Sequence, residues 1–153
     1  MSKDNNKILF LVHCEKMFEY MMDANFHYEL SKTIFSEDWD KIYIMEAGMD
    51  DSEFPGLNIV EGLAKNSPIT EKIYWSWGYE PDQFDEDENK HIIETSYGRH
   101  DYTYVPEKLR NIKDKIMSSE ISICGGHDDE CLEDFREVLK WLGVNDWNEK
   151  AVF

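Results

Sequence analysis

The stretch Ile121-Ser-Ile-Cys-Gly-Gly-His-Asp-Asp-Glu-Cys131-Leu-Glu-Asp-Phe-Arg-Glu-Val-Leu-Lys-Trp-Leu-Gly143 decides the fold. It opens as a short apolar strand over 120–124, turns at Gly125 and Gly126, and continues as an amphipathic helix over 128–142. Leu132, Phe135, Val138, Leu139 and Leu142 recur at helical spacing and predict one apolar face. Asp128, Asp129 and Glu130 suit the positive end of the helix dipole. Gly143 is placed to stop the helix as a C′ glycine.

The same alternation runs outward from this stretch. Residues 7–13, Lys-Ile-Leu-Phe-Leu-Val-His, are a continuous apolar run of the kind that fills a strand buried on both faces. A helical pattern follows over 15–35, carried by Met17, Tyr20, Met21, Ala24, Tyr28 and Ile34, and then a second apolar run over 41–46. Run, helix and run make the βαβ signature of a parallel sheet. Beyond it the sequence predicts a loop with a short helix near 60–65 and a strand over 72–79. An acidic loop over 82–90 and a short strand over 91–95 come next. Pro106 then opens a helix that runs to about Met117, and the last residues, 151–153, read as a terminal strand. No repeat or flexible linker interrupts the pattern. The expectation is one α/β domain over 1–153, a Rossmann-like three-layer domain with a mostly parallel sheet.

Composition narrows the function classes. The 153 residues carry 33 acidic and 16 basic side chains, a formal net charge of −17. A general nucleic-acid binder needs cationic side chains to displace counterions, and an anionic membrane surface repels a chain of this charge. Direct nucleic-acid and membrane partners are therefore not expected. The apolar run over 8–12 is too short for a signal region or a membrane span. Three cysteines make no disulfide framework, which points to reduced thiols and a cytoplasmic location.

Gly125, Cys131 and Gly143 carry a resemblance. In the isochorismatase-like cysteine hydrolases a strand ends in Gly, the nucleophilic Cys comes six residues later, and the helix closes with Gly about twelve residues beyond. Gly125, Cys131 and Gly143 match that register without a gap. The opening strand is similar too: with Phe18 set on the family's Phe, His13 stands where the family has its catalytic Asp. Lys90, ahead of Ser96-Tyr97-Gly98, corresponds to the family's catalytic Lys. The resemblance implies a hydrolase of small amides or esters, with Cys131 as nucleophile and His13 and Lys90 as its partners. Gly125, Gly126 and His127 would line the substrate site, the amides after Gly126 stabilising an oxyanion. It implies no cofactor, and relatives of this kind are often homo-oligomers. His13 in place of Asp departs from the family's chemistry, although a His can serve a Cys nucleophile as general base.

The residues themselves leave alternatives open. A helix N-terminus can lower a thiol pKa and make Cys131 a nucleophile, yet the neighbouring acids oppose that, and on local chemistry alone a small buried apolar cysteine is the better reading. His13, Cys14, Cys124, His127 and Cys131 would make a soft ligand set if they met, but their spacing is not that of a standard zinc site, and no metal is expected. Arg99 and His100, in a Gly- and Tyr-containing loop over 96–104, suit an anionic or aromatic ligand. Trp75, Trp77 and Tyr79 alternate as a stripe that more often packs as core than stacks on a ligand. The acids over 82–88 lack the spacing of a calcium loop and read as solvated. Two further functions compete with the hydrolase. One is a non-catalytic acidic protein that binds a basic protein surface, or imitates nucleic acid. The other is an anion or nucleotide binder at the Gly125-Gly126 turn, which lacks a full phosphate-binding motif.

Overall fold

The computed structural model describes residues 6–14, 24–46, 57–75, 92–94, 102–126 and 131–152. Seven strands and five helices lie within them: β1 (Lys7–Val12), α1 (Ala24–Ser36), β2 (Lys41–Glu46), α2 (Asn58–Asn66), β3 (Thr70–Tyr74), β4 (Ile92–Glu94), β5 (Tyr102–Tyr104), α3 (Glu107–Arg110), α4 (Lys113–Met117), β6 (Glu120–Gly125), α5 (Cys131–Trp141) and β7 (Asn148–Val152). Five strands form one sheet in the order β3-β2-β1-β6-β7, and every pairing within it is parallel. β4 and β5 form a separate antiparallel pair.

β1 is the centre of this sheet because its sequence has nothing polar to keep wet between Ile8 and Val12. All five of these residues are fully buried. Successive side chains alternate across a strand, so β1 feeds two cores at once. Ile8, Phe10 and Val12 join Tyr43, Met45, Ile73 and Trp75 against α5 and the α3–α4 segment. Leu9 and Leu11 join Ile42 and Ile44 against α1 and α2, through Phe26, Leu30, Ile34 and Val60. Helices therefore cover both faces, and the architecture is a doubly wound α/β sheet. The chain runs outward from β1 to β3, returns to β6 on the other side of β1, and so reverses direction at the β1–β6 boundary.

Local chemistry closes α5 as its sequence predicts. Gly143 has φ of +89°, and the amides of Gly143 and Val144 reach back to the carbonyls of Lys140 and Leu139 at 3.0 and 2.9 Å. That pair of hydrogen bonds is the Schellman arrangement. Gly125 answers a different need. Its φ is +117°, and a Cβ there would lie 2.0 Å from the carbonyl oxygen of Val12. The absence of a side chain lets β6 close on β1 where the two strands end.

Several boundaries differ from the sequence reading. The strand expected over 72–79 is β3, Thr70–Tyr74, and Trp75 leaves the ladder to pack in the core. Residues 76–79, and with them Trp77 and Tyr79, lie outside the described residues. The helix expected from Pro106 to Met117 is two short helices, broken at Asn111 and Ile112, both weak helix formers. The terminal strand begins at Asn148 and carries a bulge where three residues of β7 span two of β6. Ala151, at φ +48°, is the residue that absorbs it, and a bulge on an edge strand discourages further pairing.

Two glycine substitutions test the closure. Gly125→Ala is expected to destabilise by roughly 3 kcal/mol or more, from backbone strain and overpacking together. That corresponds to a Tm lower by roughly 6–12 °C. Gly62→Ala, in the α2 interior with nothing within 4 Å of the added methyl, is expected to raise Tm slightly. Thermal unfolding of both variants checks the pair, and equal effects would contradict the close approach.

Candidate functional site

In an open α/β sheet the carboxyl ends of the strands diverge where the strand order reverses, and ligands bind in that crevice. Here the reversal lies between β1 and β6. The residues at their ends are His13 and Cys14 on one side, Gly125 and Gly126 on the other, and α5 with Cys131 follows β6 directly. The Gly126 amide donates to the Val12 carbonyl at 3.2 Å, which holds the β6 turn onto the end of β1.

His13 has a left-handed backbone, φ +51°, which non-glycine residues adopt at a cost. Regular alternation would put its side chain opposite Val12, on the α1 side of the sheet. Instead its ring lies against the indole of Trp75, centroids 5.1 Å apart, on the α5 side. The His13 amide donates to Met45 O at 3.0 Å. His13 Nε2 sits 2.8 Å from Trp75 O. A carbonyl only accepts, so Nε2 carries the proton and Nδ1 keeps the lone pair. His13 is completely buried, and loss of solvation pushes its pKa down to about 4, against a smaller upward pull from the Trp75 carbonyl. At neutral pH it is an uncharged imidazole in a fixed tautomer.

Trp75 is held equally firmly. Its amide donates to Glu46 O at 2.7 Å and its indole N–H to Tyr104 O at 3.0 Å. Its ring meets Phe135 of α5 edge-on at 5.4 Å, and Phe135 also packs on Phe10 at 5.0 Å. Phe135 lies four residues after Cys131, one helical turn further along the same face of α5. Cys131 is half-buried and not in a disulfide. Its position in the first turn places the thiol near the partial positive charge of the helix end.

The other cysteines belong elsewhere. Cys14 and Cys124 are buried in the core beneath α1 and α2, on the opposite side of the sheet from the His13 ring. Burial pushes the Cys124 thiol far up, so it stays protonated. The soft ligand set that the sequence offered is thus divided by the sheet, and no group of three metal-ligating side chains occurs among the described residues. Lys90, Arg99, His100 and His127 lie outside the described residues.

One cluster was not anticipated. Lys72 Nζ of β3 lies 2.7 Å from Glu46 Oε1 at the end of β2 and 3.1 Å from Glu61 of α2. Glu46 is 7% exposed, so the lysine compensates a carboxylate that could not otherwise stay ionised there. The available signal was a single acid closing the apolar run over 41–46, but its lysine partner comes from another strand. On the same side of the sheet a groove of about 380 Å³ runs between Phe35 of α1 and Ile59, Gly62 and Leu63 of α2.

The His13 environment has a measurable consequence. A buried base with a depressed pKa gives no penalty above its unfolded value of about 6.5, and destabilises as pH falls from there toward 4. At pH 5 the loss is about 2 kcal/mol, or roughly 4–8 °C in Tm. His13→Gln, which cannot take up the proton, is expected to show a smaller fall in Tm between pH 7 and pH 5. Parallel falls in variant and parent would contradict the buried neutral ring.

No family model, curated protein or solved structure matches this chain.

Proposed function

We propose that this chain is a divergent isochorismatase-like cysteine hydrolase that acts on a small amide or ester. The observation that carries the reading is that the helix following β6, the strand beside the sheet's reversal point, begins at the half-buried Cys131. A thiol at that position can attack a carbonyl carbon held over the β1 and β6 ends. The tetrahedral oxyanion would be stabilised by amides of the turn after Gly126. The amine or alcohol leaves with a proton, and water then releases the acid from the thioester. Of the partners that the sequence offered, Lys90 remains the counterpart of the family's catalytic Lys. His13 is a poor base for this step, because its ring is buried and weakly basic.

The net charge of −17 favours a second reading, an acidic protein that docks on a basic protein surface without catalysis. The two readings differ in what they require of Cys131. Iodoacetamide labelling of the folded protein across pH, resolved by peptide mapping, is expected to modify Cys131 well below pH 8. Cys14 and Cys124, both buried, are expected to react only after unfolding. A screen of amides and esters should then yield turnover that Cys131→Ala lowers by roughly three orders of magnitude or more. Slow labelling of Cys131, or full activity in Cys131→Ala, would overturn the hydrolase reading. Salt-sensitive binding to a basic protein would then support the second.

A further inference from the structure

We infer that His13 is a positioning residue, which fixes α5 and its first residue Cys131 through the ring contacts of Trp75 and Phe135. This deepens the proposed hydrolase and rests on that reading for its catalytic meaning. The contacts form a continuous path. The His13 ring lies 5.1 Å from Trp75, Trp75 lies 5.4 Å from Phe135, and Phe135 is one helical turn from Cys131. Three hydrogen bonds hold the path: His13 Nε2 to Trp75 O at 2.8 Å within it, the Trp75 amide to Glu46 O of β2 at 2.7 Å, and the Trp75 indole to Tyr104 O of β5 at 3.0 Å.

The backbone supports the same assignment. His13 pays for a left-handed conformation that takes its ring out of strand alternation and onto Trp75. A residue that served only to fill the core could have kept regular alternation, as Leu9 and Leu11 do. A base working on the thiol would need its lone-pair nitrogen open to the site. Nε2 donates to the Trp75 carbonyl, and Nδ1, which holds the lone pair, is closed to solvent with the rest of the side chain. What His13 supplies is a donor and a flat ring at a fixed place, and the rigid helix beyond Phe135 carries that placement to the thiol.

Two substitutions separate the roles. His13→Gln keeps an N–H that can reach the Trp75 carbonyl but cannot act as a base. His13→Phe keeps a ring but has no donor. The readout is the pH profile of Cys131 alkylation, measured well below each variant's Tm so that global stability does not enter. A positioning role predicts that His13→Gln stays within about twofold of the parent rate, with the same midpoint. His13→Phe is expected to be about tenfold slower, with its midpoint moved toward the ordinary thiol value of about 8.5. Equal losses in both variants would assign His13 as the base and overturn the inference. Unchanged profiles in both would reduce it to core packing and overturn it as well.

If His13→Phe does not fold, Phe135→Leu interrupts the same path at its other end and is expected to reproduce the slower, shifted profile. Nitrogen-15 NMR of the His13 ring gives a spectroscopic check. The inference expects a neutral Nε2–H tautomer at pH 6, and a ring that is charged or carries its proton on Nδ1 would contradict it. The parent profile alone tests the hydrolase reading, whereas the differences between variants test the positioning role. Either can therefore fail without the other.

Discussion

The approach of Gly125 to the Val12 carbonyl governs everything at the carboxyl end of the sheet. Parallel strands place their slanted hydrogen bonds evenly, and β1 pairs on both edges, with β2 and with β6. For β6 to stay in register to its last residue, its backbone must pass where a Cβ would lie 2.0 Å from that oxygen. Glycine permits the contact, and its φ of +117° then redirects the chain toward α5.

Around this contact the molecule divides its apolar residues into two cores, one on each face of a sheet whose central strand is buried throughout. The division has chemical consequences. It puts Cys14 and Cys124 beneath α1 and α2, where a thiolate would be poorly solvated. His13, Trp75 and Phe135 lie beneath α5. Thiols that are neighbours in the sequence reading are separated by the thickness of the sheet. Cys131, the first residue of α5, is only half-buried.

Charge acts mainly at the periphery. Lys7 and Lys150 both bind Glu37, at 3.1 and 3.0 Å, and join β1 and β7 to the end of α1. Arg136 of α5 forks onto Glu149 of β7 at 2.7 and 3.0 Å, which holds that carboxyl below the usual range. In a chain with 33 acids and 16 bases, these cations are spent on tying the edge strand β7 and the helices to the sheet. The excess of acids leaves a surface whose long-range field favours basic partners and repels anionic ones.

The sequence by itself determined the elements whose signals are local. The unbroken apolar run of β1 marks a central strand. The 3.6-residue period of α5 and its terminal Gly143 mark a helix and its end, because periodicity and capping depend only on near neighbours. The alternation of runs and helices gave the α/β class for the same reason. Only the tertiary structure decided which strand ends meet. His13 and Trp75 are 62 residues apart, and nothing in either neighbourhood signals a hydrogen bond between them. Lys72 and Glu46 likewise come together only because β2 and β3 are adjacent. His13 was legible as the end of a strand, but its left-handed turn onto Trp75 was not. That turn is stabilised by contacts from two other segments, Met45 of β2 and Trp75 after β3, and their arrangement exists only once the chain has folded.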